Sequence, residues 1–269
     1  MTRKVTIKDI ARESGVSIAT VSYVLNGRED KRISEETKNK VLHIANLYNY
    51  SRSFSALHIS TGRTKIVALY VYSNDFALNY AEKYRFVSVL ITELEKEGYS
   101  LRIMNYGKAQ RIDNVDAIVC CDTPTEFFFE VAHVNFVPVL SYNNYVGDGL
   151  FYQINTDYHV AKQYAVSQFG TEDFLTASLA VGNAERKEAM LKEFPQTQFL
   201  CNFDSARKMA AEVGKKPLLV FETSLYDYLK PLCNNLLIYV PYKQKIATLV
   251  QKMKEVIDRQ DVVGYDIRI

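Results

Sequence analysis

Residues 5–27 read VTIKDIARESGVSIATVSYVLNG, and this stretch decides the fold of the N-terminal part of the chain. Thr6 is a suitable N-cap for a first helix, and Asp9 three residues later completes a capping box. Gly15 supplies a tight turn, because glycine adopts a positive φ without steric cost. Ser17 then caps a second helix, in which apolar residues recur at helical spacing. The pattern predicts two short helices joined by a tight turn.

The second predicted helix carries small polar side chains away from its apolar stripe of Val21, Val24 and Leu25. A helix of this kind fits the major groove of B-DNA, which is about 12 Å wide. We therefore predict a DNA-reading helix-turn-helix. Its expected DNA contacts are Thr6, Ser17, Ile18, Ala19, Thr20, Ser22, Tyr23, Asn26 and Arg28.

The same stretch resembles the N-terminal headpiece of the LacI-type family of bacterial transcriptional regulators. The resemblance rests on the Val-Thr-Ile-Lys-Asp-Ile-Ala opening, the Gly-Val-Ser turn and the Ala-Thr-Val-Ser-x-Val-Leu-Asn close, all in register. One departure is Tyr23, where the family usually has a basic residue. The resemblance implies an all-α headpiece over residues 1–48, which a third helix beginning at Ser34 completes.

Residues 49–64 are the predicted hinge or linker that follows the headpiece. Serines and scattered polar residues give this segment little drive to fold alone. In the family it forms a hinge helix on DNA, with an alanine between the paired hinges and a leucine wedged into the minor groove. Alignment on Tyr50 puts Ala56 and Ile59 at those two positions. The Pro-Asn pair that usually precedes the hinge is absent, so an ordinary flexible linker is the alternative.

From residue 65 onward, apolar runs alternate with amphipathic stretches such as Tyr84–Glu97 and Val160–Phe169, which predicts parallel sheets covered by helices on both faces. The predicted strands are Ile66–Tyr72, Leu101–Met104, Ala117–Cys121, Val137–Tyr142, Leu175–Val181, Leu218–Phe221 and Leu236–Tyr239. This pattern resembles the periplasmic-binding-protein-like core of the same family. Residues 65–269 are therefore expected to form an α/β effector and dimerisation core of two doubly wound lobes. The second lobe is expected to be shortened, with little room between Asn183 and Phe199 for the usual helix and loop.

Ligands of open α/β sheets bind beyond the carboxyl ends of the strands. From this rule and the family's sugar-binding arginine, the predicted effector-binding residues are Ser73, Asn74, Asp75, Phe76, Asn155, Asp157, Arg186 and Glu222. A capping or solvated loop role is the alternative for each of them. Glu222 and Thr223 replace the Asn-Asp pair whose aspartate commonly binds sugar hydroxyls in the family. A conventional sugar effector is therefore not expected; the effector is another small molecule, a protein partner, or absent.

Composition and charge agree with this interpretation. The chain of 269 residues is 48% hydrophobic and 24% charged, as in ordinary globular proteins. Residues 1–65 hold 12 Lys or Arg and 6 Asp or Glu, whereas the remainder is mildly acidic, so the headpiece suits phosphate contacts. The expected backbone contacts are Arg3, Lys4, Lys8, Arg28, Lys31 and Arg32. Neither a signal peptide nor an apolar run of about 18 residues is visible, which predicts a cytoplasmic protein.

The chain shows no pattern typical of catalysis. Its four cysteines, Cys120, Cys121, Cys201 and Cys233, lack metal-site spacing and are expected to be reduced and partly buried. We find no glycine-rich phosphate loop, nucleophile elbow or His-Glu-x-x-His motif. The sequence therefore predicts no enzyme activity, no cofactor and no metal site.

The function predicted from these patterns is a repressor that binds a palindromic operator in double-stranded DNA as a homodimer. A small-molecule effector of unknown identity would modulate it. The alternatives are a ligand-binding module with a vestigial headpiece, a DNA-binding regulator controlled by a protein partner, and an enzyme on the doubly wound scaffold.

Overall fold

The computed structural model describes residues 5–25, 28, 32–48, 63–260 and 265–269. The chain divides into two compact units between Arg63 and Thr64. Within the described ranges, no helix has both the length and the apolar character that a membrane span requires.

The described part of the first unit contains three helices: α1 (Ile7–Ser14), α2 (Ile18–Leu25) and α3 (Glu35–Leu47). Thr6 caps α1 through the predicted capping box with Asp9, and Gly15 ends the helix at φ 69°. Ile10, Val21 and Val41, one from each helix, are fully buried together. The predicted helix-turn-helix and third helix are therefore confirmed.

In the second unit, the described residues form two parallel sheets. The first sheet has the strand order β10-β5-β4-β3-β1-β2 and the second β7-β6-β8-β9. Their bounds are β1 Ile66–Val71, β2 Ser100–Ile103, β3 Ala117–Cys121, β4 Val139–Tyr142, β5 Gln153–Asn155, β6 Leu175–Leu179, β7 Gln198–Leu200, β8 Leu218–Val220, β9 Leu236–Ile238 and β10 Asp266–Arg268. The helices are α4 Ala77–Lys96, α5 Thr125–Val134, α6 Tyr158–Phe169, α7 Ala184–Glu193, α8 Phe203–Val213, α9 Thr223–Leu229 and α10 Tyr242–Ile257.

Each sheet is covered on both faces, because alternate residues of every buried strand face opposite sides. In β1, Val67 and Leu69 enter one core while Ala68 and Tyr70 enter the other. Two further cores flank the second sheet. We call the part around the first sheet the first lobe and the part around the second sheet the second lobe.

Between Asn183 and Phe199 the chain forms the ten-residue helix α7. One expectation for this unit is wrong, because one of the four cysteines is not buried. Cys201 is exposed, whereas Cys120, Cys121 and Cys233 are buried and all four thiols are free. Cys201 follows β7 at the start of a loop, where neither sheet face covers it.

Candidate functional site

The candidate DNA-reading surface is the outer side of α2. Val21 is fully buried against the other two helices, which fixes the rotation of α2 about its axis. Ser17, Ile18 and Ala19 are exposed on the outer side. Among the other predicted contacts on this helix, the half-buried ones are Thr20, Ser22 and Tyr23.

Ser17 sets where α2 begins. Its hydroxyl accepts a hydrogen bond from the Thr20 backbone N–H at 3.0 Å and forms a second one with the Thr20 hydroxyl at 2.9 Å. The cap leaves the first turn of α2 exposed, and a helix N-terminus favours a nearby phosphate.

The basic residues predicted near DNA are partly described. Lys8, Arg28 and Arg32 are exposed, and the Arg28 backbone N–H donates to the Tyr23 carbonyl at 3.0 Å. Thr6 is exposed at the start of α1. The predicted contacts that lie outside the described residues are Arg3, Lys4, Asn26, Lys31, Ala56 and Ile59.

The second unit has a cavity in the cleft between its two lobes, at the carboxyl ends of the parallel strands. The strand-end residues that line it include Asp122 after β3, Asn143 after β4, Thr156 after β5 and Glu222 beyond β8. Its free volume is about 50 Å³, whereas pockets for drug-sized ligands enclose roughly 300–1,000 Å³. The cleft is therefore closed, and side chains fill most of it.

A buried ionic cluster occupies this cleft. Asp122 is 1% exposed and accepts from Lys83 Nζ at 2.7 Å and from Arg186 Nη1 at 2.9 Å. Burial alone would raise the pKa of Asp122, but the two cations outweigh burial and hold it below its ordinary value. Because Asp122 belongs to the first lobe and Arg186 to the second, their ion pair joins the two lobes.

Arg186 is positioned by several groups. Its Nε donates to the Tyr158 hydroxyl at 3.1 Å, and its backbone N–H donates to Asn183, the N-cap of α7, at 2.8 Å. The Asn183 amide also donates to the Thr123 carbonyl at 3.2 Å in the first lobe. The first turn of α7 is thus tied to the loop that follows β3.

Glu222 is the second buried carboxyl of the cleft. It accepts from the Ser178 hydroxyl at 2.6 Å and from the Leu179 backbone N–H at 3.1 Å. Burial is the largest effect on this group and raises its pKa to about 7. The Arg186 charge and the two hydrogen bonds oppose that rise without cancelling it.

Lys245 on α10 is the third basic group of the cleft and is 2% exposed. Its ammonium donates to Asn143 Oδ1 and, at 2.8 Å, to the Thr156 hydroxyl. Burial, with Arg186 repulsion next, lowers its pKa well below the ordinary value.

Of the eight predicted effector-binding residues, only Arg186 and Glu222 line this cavity. The other six are engaged elsewhere. Ser73, Asn74 and Asp75 form hydrogen bonds within the loop before α4 or with that helix, and Phe76 packs in a core of the second lobe.

Asn155 and Asp157 also lie off the cavity, whereas Thr156 between them lines it. The Asn155 amide donates to the Asn144 carbonyl at 3.1 Å, and Asp157 caps α6 by accepting from the Val160 N–H at 3.0 Å. Successive residues of extended chain point to opposite sides, which separates Thr156 from its neighbours.

Sequence reasoning missed Lys83, Asp122 and Lys245. Asp122 directly follows the predicted strand Ala117–Cys121, so the strand-end rule would have found it. Lys245 interrupts the apolar stripe of α10, four residues before the buried Leu249. A lysine at such a position indicates a buried charged group and could have been used to predict this part of the site. Lys83 gives no comparable signal in its sequence neighbourhood.

The N-terminal unit matches a known family. Residues 6–53 match bacterial regulatory proteins, lacI family. The sucrose operon repressor of Klebsiella pneumoniae is 45% identical over 71 residues, which are 26% of this chain and 21% of that protein. Catabolite control protein A of Staphylococcus aureus is 26% identical over 192 residues, which are 68% and 57% of the two chains. The chain therefore spans less than two thirds of the length of these relatives.

Among solved structures, the crystal structure of the lac repressor dimer bound to operator and an anti-inducer is similar in fold. The match has a TM-score of 0.58 and 15% identity and covers 99% of this chain and 96% of that chain. It confirms the predicted architecture of a helix-turn-helix unit followed by an α/β core with two parallel sheets.

Proposed function

We propose that the protein is a sequence-specific DNA-binding transcriptional repressor, because its residues 6–53 match the lacI family of bacterial regulatory proteins. The observation that carries this proposal is the geometry of α2. Val21 fixes its inner side in the core, and its outer side offers Ser17, Ile18 and Ala19 to the major groove.

The operator in this proposal is a palindrome bound by two copies of the chain. The similar lac repressor structure is a dimer bound to operator, which supports this arrangement. In helix-turn-helix dimers the two reading helices enter successive major grooves, about 34–36 Å apart. Residues 1–48 serve as the headpiece and residues 49–64 as the hinge, with Ala56 between the hinges and Ile59 in the minor groove.

Residues 65–269 act as the effector and dimerisation core, and the cleft with Arg186 and Glu222 is the effector site. A ligand regulates DNA binding only if it binds one lobe arrangement more tightly than another. The Asp122–Arg186 pair joins the two lobes across the cleft. A ligand that strengthens or breaks such contacts would favour one lobe arrangement over the other.

The first test is selection of bound fragments from the host's genomic DNA by the purified full chain at physiological salt. We expect enrichment of a palindrome with half-sites about one helical turn apart. Recovery of bound fragments that share no common sequence would contradict sequence-specific repression.

The second test is Thr20→Glu, which places a negative charge on the outer side of α2. The variant keeps its fold, since Ser17 and a glutamate three residues later form a capping box. We expect operator affinity to fall on the order of 100-fold, because each lost base contact costs about 1–3 kcal/mol in each half-site. Quantitative gel shifts at constant salt measure this loss.

Asn39→Glu is the matched control, because it adds the same charge at an exposed position of α3 in the same unit. It should bind the operator nearly as well as the wild type. Equal losses in both variants would assign the effect to net charge and remove α2 from the role of reading helix.

A further inference from the structure

Lys245 is a buried basic group of the cleft that forms no ion pair with a carboxylate among the described residues, although Asp122 attracts it at longer range. Lys83 and Arg186 share the carboxylate of Asp122, but within the described part of the chain no carboxylate forms an ion pair with Lys245. Lys245 is on the buried side of α10, one turn before Leu249, and is 2% exposed. Water therefore does not solvate this charge freely, and an isolated buried charge is costly.

The described groups in contact with the Lys245 ammonium are neutral. Asn143 and Thr156 accept two of its hydrogen bonds, and the ring centroid of Tyr142 lies 4.8 Å from Nζ. An ammonium has three N–H donors, so one donor has no hydrogen-bond acceptor among the described residues. The ring face stabilises the cation only in part.

Tyr242, another residue that lines the cavity, has a hydroxyl without a hydrogen-bond partner in the described part of the chain. The hydroxyl of Tyr242 is buried and forms no hydrogen bond within the described residues, and Tyr242 lines the cavity one helical turn before Lys245. Buried hydroxyls are ordinarily paired, so an unpaired one marks a place for an absent polar atom. Among the described residues, one Lys245 N–H and the Tyr242 hydroxyl, three positions apart on α10, thus lack an acceptor.

We propose that the effector of this protein is a small oxyanion, a carboxylate or a phosphate, whose oxygens bind the Lys245 ammonium and the Tyr242 hydroxyl. A negatively charged ligand supplies the direct ion-pair partner that Lys245 lacks among the described residues, and charge-assisted hydrogen bonds are the strong ones. The free volume of about 50 Å³ favours a compact anionic group over a whole sugar ring at this point. This inference rests on the proposed function for its regulatory meaning only, since ligand binding is measured without DNA.

Calorimetric titration of the full chain tests the proposal with four probes at constant ionic strength. Inorganic phosphate, pyruvate and glucose 6-phosphate carry the anion, and glucose serves as the neutral comparison. We expect at least one anionic probe to bind, and we expect glucose to release no heat beyond that of its dilution into buffer. Phosphate against pyruvate separates the two anion chemistries. Binding of glucose as tight as that of glucose 6-phosphate, or no binding of any anion, would overturn the proposal.

Lys245→Met removes the charge and keeps an unbranched side chain of similar length. The variant should fold, because replacing a buried charge by an apolar group is often neutral or stabilising. We expect the affinity for the bound anion to fall about tenfold or more. Lys243→Met, at an exposed position of the same helix, is the matched control and should bind like the wild type. Unchanged affinity for the anion in Lys245→Met would refute the proposed contact. Selection of operator DNA by the same variant tests the proposed repressor function separately, so failure of one proposal is distinguished from failure of the other.

Discussion

The pKa of Glu222 makes the second unit sensitive to pH around neutrality. Burial raises its pKa from 4.5 to about 7, so the folded chain holds this proton more tightly than the unfolded chain. The resulting stabilisation is fully present below about pH 4.5 and is lost as the pH rises through about 7. In the structure, the Ser178 hydroxyl and the Leu179 N–H each donate to one of its two oxygens.

Glu222→Gln should remove this pH dependence, because an amide has no proton to lose in this range. From pH 5 to pH 8 the free energy of unfolding of the wild type should fall by about 2–3 kcal/mol more than that of the variant, at about 1.4 kcal/mol per pKa unit. Urea unfolding of both proteins at pH 5 and pH 8 measures this difference. The pH-dependent contributions of the other cleft groups are common to both proteins and cancel when the two are subtracted.

Glu95→Gln, on the exposed side of α4, is the control for Glu222→Gln. Its stability should follow that of the wild type at each pH. Parallel curves for the wild type and Glu222→Gln would show that the Glu222 carboxyl keeps an ordinary pKa.

At the level of single residues, the sequence predicted the headpiece surface better than the cleft. The α2 contacts follow from one helix, whose period fixes which side is buried once Val21 is placed. Which residues line the cleft depends on which strand ends meet in the folded chain. In extended chain, a shift of one residue moves a side chain from the cavity side to the opposite side. That shift separates the predicted Asn155 and Asp157 from Thr156, which lines the cavity.

At the level of elements, apolar content decided which strands could be predicted. All seven predicted apolar runs contain strands, with ends that differ by up to two residues. The three missed strands, Gln153–Asn155, Gln198–Leu200 and Asp266–Arg268, are three residues long and contain polar residues. Their strand conformation comes from pairing with neighbours, as when the Gln153 N–H donates to the Tyr265 carbonyl at 2.7 Å. Local sequence carries little of that information.

The stability of α1 should depend measurably on its capping box. The Thr6 N–H donates to Asp9 Oδ2 at 2.9 Å, and the Asp9 N–H donates to the Thr6 hydroxyl at 3.4 Å. Thr6→Ala removes the hydroxyl and should cost about 1 kcal/mol, which corresponds to roughly fivefold faster amide exchange in α1. Hydrogen exchange of the full chain without DNA measures this rate.

Thr6→Ser retains the capping oxygen and should exchange at nearly the wild-type rate. The amides of α7, which has its own cap at Asn183, serve as an internal reference in both variants. If Thr6→Ala leaves exchange in α1 unchanged, the capping box contributes nothing to the stability of this helix.

At the scale of the whole second unit, one glycine permits the lobes to meet. Gly182 follows β6 in the second lobe, and a Cβ built there would lie 2.3 Å from the Asp122 carbonyl oxygen and 2.3 Å from the Tyr72 ring. Both groups belong to the first lobe, and the carbonyl is backbone that cannot rotate away. Any larger residue at this position must separate the two strand ends.

Gly182→Ala should therefore open the cleft and weaken the contacts beside it, including the pair between Asp122 and Arg186. We expect faster amide exchange in the first turn of α7 and in the loop after β3, with the centres of both sheets unchanged. Gly149→Ala is the matched control, because a Cβ there meets no atom within 4 Å.

Since the closed arrangement is what keeps Lys245 and Asp122 from water, Gly182→Ala should also raise the pKa of Lys245 toward its ordinary value. Unaltered exchange beside the cleft would mean that the lobes adjust locally and that closure does not depend on this glycine.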